Sequence, residues 1–379
     1  MTWPRDDAKL DRVRALMAER ELDALVVRTP DNVLYLSNYW CMKGYDVVVF
    51  PREGDPTLIV MEPQLDEAST TAWTDDLRPF KGYALDDPRP AWARSTDLAQ
   101  AVCRERGLER IGLELSQGTQ VADRMVGEPT VFTQSFFEAF GAAEDASPLL
   151  AEARMIKTGQ EIERMREAND LAAAATEHVA ENIRPGMKES EVAAMWEGHV
   201  LAEGGGRARG YSLVWSGPGI RTFTATGDRP VQENEPTLLE IWVCVDGYWC
   251  DHTKNVCPGD LTPAYDELLD QLLEVYNAAV DHARDGASLP ELDRLVRAGI
   301  AEAGYPGQPS HPICHGVGAR AHEPPYAHGA GSGTIREGMV LAIEPGIYWE
   351  GGGGLRLEDN FLITAEGPEK LSRYPDDFR

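Results

Sequence analysis

Four acids and two histidines stand at spacings that could build a metal-assisted acid/base centre. The first pair of acids lies in Thr237 to Val256, TLLEIWVCVDGYWCDHTKNV, where apolar and aromatic residues flank Asp246-Gly247, a strong hairpin signal. A turn there pairs Val245 with Tyr248, Trp242 with Asp251 and Glu240 with Thr253. Side chains alternate along a strand, so Glu240, Trp242 and Asp251 share one face, with the two acids about 7 to 8 Å apart. The second pair lies in Val340 to Thr364, where Glu344 and Glu358 are equidistant from Gly351. A hairpin centred on Gly351 sets them opposite each other, where like charges destabilise a sheet and a cation between them reverses that sign. Leu238, Ile241, Val243, Leu341, Ile343, Leu355 and Leu357 are too apolar for sheets wetted on both faces. The acids are therefore enclosed, and enclosed carboxylates stay charged only when paired or on a metal. Nitrogen comes from His311 to Pro325, HPICHGVGARAHEPP. His315 is expected as the imidazole ligand and His322 as a neighbouring acid/base group.

These residues need a scaffold. Helical spacing over Asp11 to Glu21 is followed by short apolar runs at Leu22 to Arg28, Asp46 to Phe50 and Thr57 to Met61, then at Ile111 to Leu115 and Pro129 to Phe132. This predicts an α/β domain over residues 1–148 with no cluster able to do chemistry. A long helix is predicted from Leu149 to about Ile183 and a second over Glu189 to Glu203. A strand-rich stretch (210–257), helices at 263–285 and 289–304, and further strands follow. Helix-helix-strands twice over predicts an α+β domain, residues 149–379, with two pseudo-twofold halves around one sheet.

Composition narrows the partners. Among 379 residues, 63 acids against 36 bases leave a net charge of −27, a field that repels nucleic acid and anionic membrane surfaces. No apolar run is long enough to span a bilayer, and Met1 to Arg20 has no signal-peptide layout, so a cytoplasmic protein is expected. Six cysteines without a CxxC pair indicate neither a disulfide framework nor a thiolate zinc site. All eight histidines lie beyond residue 177, which assigns the chemistry to the second domain.

The order Glu240, Asp251, His315 in CHGVG, His322 in HEPP, Glu344 in EPG and Glu358 in LRLED resembles the M24 metallopeptidases: methionine aminopeptidase, prolidase, aminopeptidase P and creatinase. Asn32 to Leu36 (NVLYL) is similar to the N-terminal domain of the creatinase and prolidase branch. Arg154 to Lys157, with Glu161 and Met165, is similar to the helix that opens its catalytic domain. The resemblance implies the two-domain "pita-bread" architecture and two divalent ions (Mn, Co or Zn) on Glu240, Asp251, His315, Glu344 and Glu358, with Asp251 and Glu358 bridging. It also implies catalytic roles for His322, Glu344 and His315, and a homodimer in which Tyr39 to Tyr45 approaches the other subunit's pocket. Arg356, Arg221, Tyr326 and His328 are expected at the substrate.

Two departures stand out. Glu240 occupies a position that is normally Asp, which should weaken one metal site, and Trp215 to Pro230 lacks the histidine that prolidases carry there. The expected reaction is metal-dependent hydrolysis of a C–N bond, with an Xaa-Pro dipeptide or short peptide as substrate. Alternatives within the resemblance are a creatinase-like or ectoine-hydrolase-like small-molecule C–N hydrolase, a mononuclear-metal lyase and a catalytically reduced binding protein.

Overall fold

A computed structural model describes residues 3–41, 45–114, 130–222, 224–349 and 351–379. The chain divides into two compact units, Met1–Arg154 and Met155–Arg379. Residue 148 lies inside the helix Ser147–Met155, whose Leu149, Leu150 and Ala153 pack into the core of the first unit.

In the first unit six strands are ordered Leu77–Phe80, Thr57–Met61, Val47–Pro51, Ala24–Val27, Ile111–Leu113 and Glu144–Asp145. Ala24–Val27 runs antiparallel to Val47–Pro51 and parallel to Ile111–Leu113. Alternation assigns the two faces. Leu25, Val27, Val48 and Phe50 pack with Leu10, Val13 and Met17 of the helix Asp7–Glu19. Ala24, Val26, Val47 and Val49 pack instead with Ala99 and Val102 of the helix Ala91–Glu105. A sheet covered on both faces explains the unbroken apolar runs.

One expectation fails in this unit. The strand expected over Pro129 to Phe132 is replaced by the helix Thr130–Ala139. Its phenylalanines follow helical spacing, and the rings of Phe136 and Phe140, four residues apart, lie 5.3 Å from each other. Of the segment Tyr39 to Tyr45, Tyr39 is buried in its own unit's core, and residues 42–44 lie outside the described residues.

In the second unit the long helix expected from Leu149 is interrupted. Ser147–Met155 ends, and Gly159–Asn182 begins after Thr158. The Thr158 hydroxyl accepts from the Glu161 N–H at 3.3 Å while the Glu161 carboxylate accepts from the Thr158 N–H at 3.0 Å. That reciprocal cap starts a new helix.

Gly159–Asn182 and Glu189–Gly204 cover a three-stranded antiparallel sheet of Ala208–Ser216, Thr237–Val245 and Tyr248–Val256. Ala168, Ala172, Val192 and Trp196 pack on Leu239, Ile241 and Val243. The register is the expected one, Val245 with Tyr248, Trp242 with Asp251 and Glu240 with Thr253. Asp246 and Gly247 turn with φ of 47° and 83°, the paired positive angles of a tight hairpin.

Pro263–His282 and Leu289–Glu302 cover the second half in the same way. Its sheet is ordered Glu323–Tyr326, Cys314–Gly316, Val340–Ile343, Asp359–Thr364 and Gly367–Lys370, and Gly346–Trp349 forms a separate hairpin with Gly353–Arg356. The two halves therefore carry two sheets rather than sharing one. Among the described residues an isolated β-bridge links them, Thr253 with Glu358, where the Glu358 N–H reaches the Thr253 carbonyl at 3.3 Å.

Candidate metal centre

The bridge between the sheets is also where the acids meet. Asp251 lies on Tyr248–Val256, His315 on Cys314–Gly316, and His322 immediately before Glu323–Tyr326. Glu344 follows Val340–Ile343 and Glu358 precedes Asp359–Thr364. The hairpin pairs Gly346 with Arg356 and Trp349 with Gly353, a register centred on Gly351 that places Glu344 opposite Glu358 just beyond the ladder. His315 Nε2 is 3.6 Å from both Asp251 Oδ2 and Glu344 Oε1, and His322 Nε2 is 3.3 Å from Asp251 Oδ2. Two overlapping donor sets result, Asp251/His315/His322 and His315/Glu344/Glu358, the atoms of each lying within 4.8 Å of one another.

The residues fit a divalent cation. His315 Nδ1 lies 3.0 Å from the Gly316 carbonyl, which assigns its proton there and leaves the Nε2 lone pair facing the acids. Among the described residues, His315 Nε2 and Asp251 Oδ2 are buried without a hydrogen-bond partner, the state expected of atoms that take a metal. Imidazole with carboxylate oxygens suits Mn, Co or Zn.

Electrostatics agree. Burial first, then Glu358, Glu344 and Glu240, hold the Asp251 carboxyl well above the usual carboxylate range. Glu344 is raised by burial and then Glu358, and Glu358 by burial against the opposing pull of Arg356. Burial lowers the His315 imidazolium to about 4, so the ring is neutral and able to ligate at pH 7. A bound cation would relieve the crowding that raises the acids.

Supporting contacts orient the donors. The Asn360 side chain donates to the Asp251 carbonyl at 2.8 Å and accepts its N–H at 3.0 Å. The Thr253 hydroxyl donates to Glu358 Oε2 at 2.6 Å and accepts from Arg356 Nε at 2.6 Å. His311, not singled out by sequence, is buried with Nδ1 3.3 Å from Glu344 Oε2 and Nε2 3.0 Å from the Tyr348 hydroxyl. Its signal was its place four residues before His315, on the segment already rich in histidine.

Glu240 is not part of either donor set. Its Oε2 lies 2.8 Å from Nη2 of Arg356, whose side chain is 3% exposed against 15% for Glu240. The extra methylene carries this carboxylate to the guanidinium. Arg356, expected at the substrate, is buried, with Nη1 on the Tyr348 hydroxyl at 3.3 Å and Nε 3.8 Å from Glu358. Burial opposes its charge, yet Glu240, Tyr348, Glu358 and Glu344 together hold its pKa above the ordinary value.

The other expected substrate residues are spread around the rim. Tyr326 is exposed, with its ring 6.4 Å from that of His315. His328 is exposed and accepts from the Ala330 N–H at 3.1 Å. Arg221 is exposed on the loop after Gly217–Gly219 and is not among the side chains gathered at the centre. In the same segment, Arg229 is committed to Ser216 at 2.9 Å and Glu235 at 2.6 Å.

Residues 163–365 match the model of metallopeptidase family M24, and residues 9–168 match the creatinase/prolidase N-terminal domain. The chain is 26% identical over 368 residues to an Xaa-Pro dipeptidase of Pyrococcus horikoshii, covering 96% of this chain and 97% of that one. Among solved structures, a prolidase from Pyrococcus horikoshii OT3 superposes with a TM-score of 0.82 at 25% identity, covering 98% of this chain and all of that one. An Xaa-Pro dipeptidase from Bacillus anthracis gives a TM-score of 0.81 at 26% identity, covering 97% and 98%. The two-domain architecture is that of this group, and the chain belongs to metallopeptidase family M24.

Proposed function

We propose that the protein is a divalent-metal-dependent dipeptidase that cleaves the bond before proline in Xaa-Pro dipeptides. The observation that carries this reading is the convergence of Asp251, His315, Glu344 and Glu358, with His322 beside them, at the junction of the two sheets. The names of the full-length relatives and structural neighbours support the substrate class.

Asp251, His315, Glu344 and Glu358 would hold the metal, and a second position includes Glu240 once it leaves Arg356. When bound, the metal polarises the scissile carbonyl and acidifies a water. Glu344 accepts the proton of the attacking water on a carboxylate oxygen, within reach of His315 Nε2 at 3.6 Å. His322, about one-third exposed, faces the open side and donates from its ring to the developing oxyanion or the leaving imino nitrogen. His315 stays neutral and fixed by Gly316, so it orients the centre without carrying a proton through the cycle.

We place the enzyme in the cytoplasm as a homodimer. Six cysteines without a CxxC pair suit a reducing compartment, and no helix among the described residues is long and apolar enough to cross a membrane. Tyr83 and Leu85, 79% and 93% exposed on one loop of the first unit, are apolar surface that a second copy would cover.

The test is a substrate panel on protein loaded with Mn, Co or Zn: Met-Pro, Leu-Pro and Gly-Pro, non-proline dipeptides, creatine and ectoine. Release of proline well ahead of every other product is expected. Turnover of creatine or ectoine with inert dipeptides would reject the proposal.

A further inference from the structure

A buried ion pair lies outside the donor sets. Lys157 Nζ is 2.8 Å from Glu323 Oε1, with side chains 1% and 3% exposed, across 166 residues of sequence. Glu323 is the residue after His322, and Lys157 sits in the break between two helices. Its own backbone is fixed, since the Lys157 N–H donates to the Gly338 carbonyl at 2.8 Å. Space around the pair is closed. A Cβ on Gly318 would lie 2.4 Å from Glu323 Oε1 and 3.0 Å from Lys157 Cε, and one on Gly316 would lie 2.4 Å from the Pro324 carbonyl oxygen.

The same helix start also braces the other side of the centre. Glu161 Oε1 accepts from the Tyr248 hydroxyl at 2.8 Å, three residues before Asp251 on the same strand. The Trp249 N–H donates to the Gly318 carbonyl at 2.8 Å, tying that strand to the turn before His322. Lys157 and Glu161 thus hold the two chain segments whose side chains meet at the 3.3 Å contact of His322 with Asp251.

We infer that Lys157 is a positioning residue for catalysis: its ion pair with Glu323 sets where His322 stands relative to Asp251. A buried charged contact with closed surroundings has one low-energy geometry, and the residue next to it inherits that geometry. Neither partner is a metal donor, so the pair acts through the placement of His322, while Asp251, His315, Glu344 and Glu358 are left to hold the metal. The inference rests on the catalytic role proposed for His322.

The test uses crystal structures and Met-Pro kinetics of the full-length, Mn-loaded protein. Lys157→Met keeps length and removes charge. Its His322–Asp251 distance should lengthen by about 1 Å, with kcat down about 100-fold, the cost of such a misplacement, and with KM and metal content little changed. Lys157→Arg should recover most of the rate. Where Lys157→Met fails to fold, Lys157→Met/Glu323→Gln, which leaves no lone buried charge, is read in its place. An undisplaced His322, or kcat within twofold of wild type, overturns the inference. Wild-type protein inert on every dipeptide counts against the proposed function instead, while the displacement still decides the pair.

Discussion

Glu240→Asp should convert the centre from one tight metal ion to two. In the wild type Glu240 is held by Arg356 at 2.8 Å, and the guanidinium cannot follow a retreating partner because Thr253 holds its Nε at 2.6 Å and Tyr348 its Nη1 at 3.3 Å. Removing one methylene withdraws the carboxylate by about 1.5 Å, a C–C bond length, and takes it out of contact. Taking this ion pair on the scale of a hydrogen bond to a charged group sets its net worth at about 1.5–3 kcal/mol. At 1.4 kcal/mol per factor of ten, recruiting Glu240 to a metal therefore costs the wild type about 10- to 100-fold in affinity for a second ion. Calorimetric titration of chelated protein with Mn, checked by elemental analysis after gel filtration, reads this directly. Wild type should retain about one ion per chain and Glu240→Asp close to two, with the first binding constant unchanged. Two equally tight ions in the wild type, or no change in the variant, would refute the reasoning.

Three further outcomes are expected. His322→Ala should lower kcat on Xaa-Pro dipeptides about 100-fold or more while the metal retained in elemental analysis stays at the wild-type level, since Asp251, His315, Glu344 and Glu358 remain. Gly316→Ala should reduce both melting temperature and activity, because the new Cβ would meet the Pro324 carbonyl at 2.4 Å and main chain cannot swing aside; differential scanning calorimetry and kcat measure the two. Asp46 is buried, and that burial raises its pKa to about 6 despite the Met61 N–H it accepts at 3.0 Å. The folded state therefore binds a proton more readily than the unfolded chain between about pH 4 and 6, so this group's contribution to stability falls as pH rises through that window. Asp46→Asn should accordingly stabilise by about 1–3 kcal/mol at pH 7 and by almost nothing at pH 4, read by urea denaturation at the two pH values.

Local rules made much of the centre readable in the sequence. Asp246-Gly247 sets the register of its hairpin, so the shared face of Glu240, Trp242 and Asp251 follows from alternation alone, and the glycine run around Gly351 does the same for Glu344 and Glu358. The break at Thr158 was readable in principle, since Thr-x-x-Glu is a capping signature, but the helical periodicity continuing on both sides outweighed it. Long-range pairing left no such trace. That Arg356 turns to Glu240, that Lys157 meets Glu323, and that His311 stands behind Glu344 depends on contacts between residues 116, 166 and 33 positions apart. Nor does a sequence say how two equivalent halves share their strands, and among the described residues two sheets linked by an isolated β-bridge replaced the single sheet expected.

Proline release from Met-Pro by chelated wild-type protein, before and after one equivalent of Mn is returned, tests the central claim most directly, with Asp251→Asn alongside. The chelated protein should be inert, the returned ion should restore turnover, and Asp251→Asn should stay inert at the same metal concentration. Full turnover by the chelated protein, or restoration in Asp251→Asn equal to wild type, would contradict a metal-dependent peptidase built on this centre.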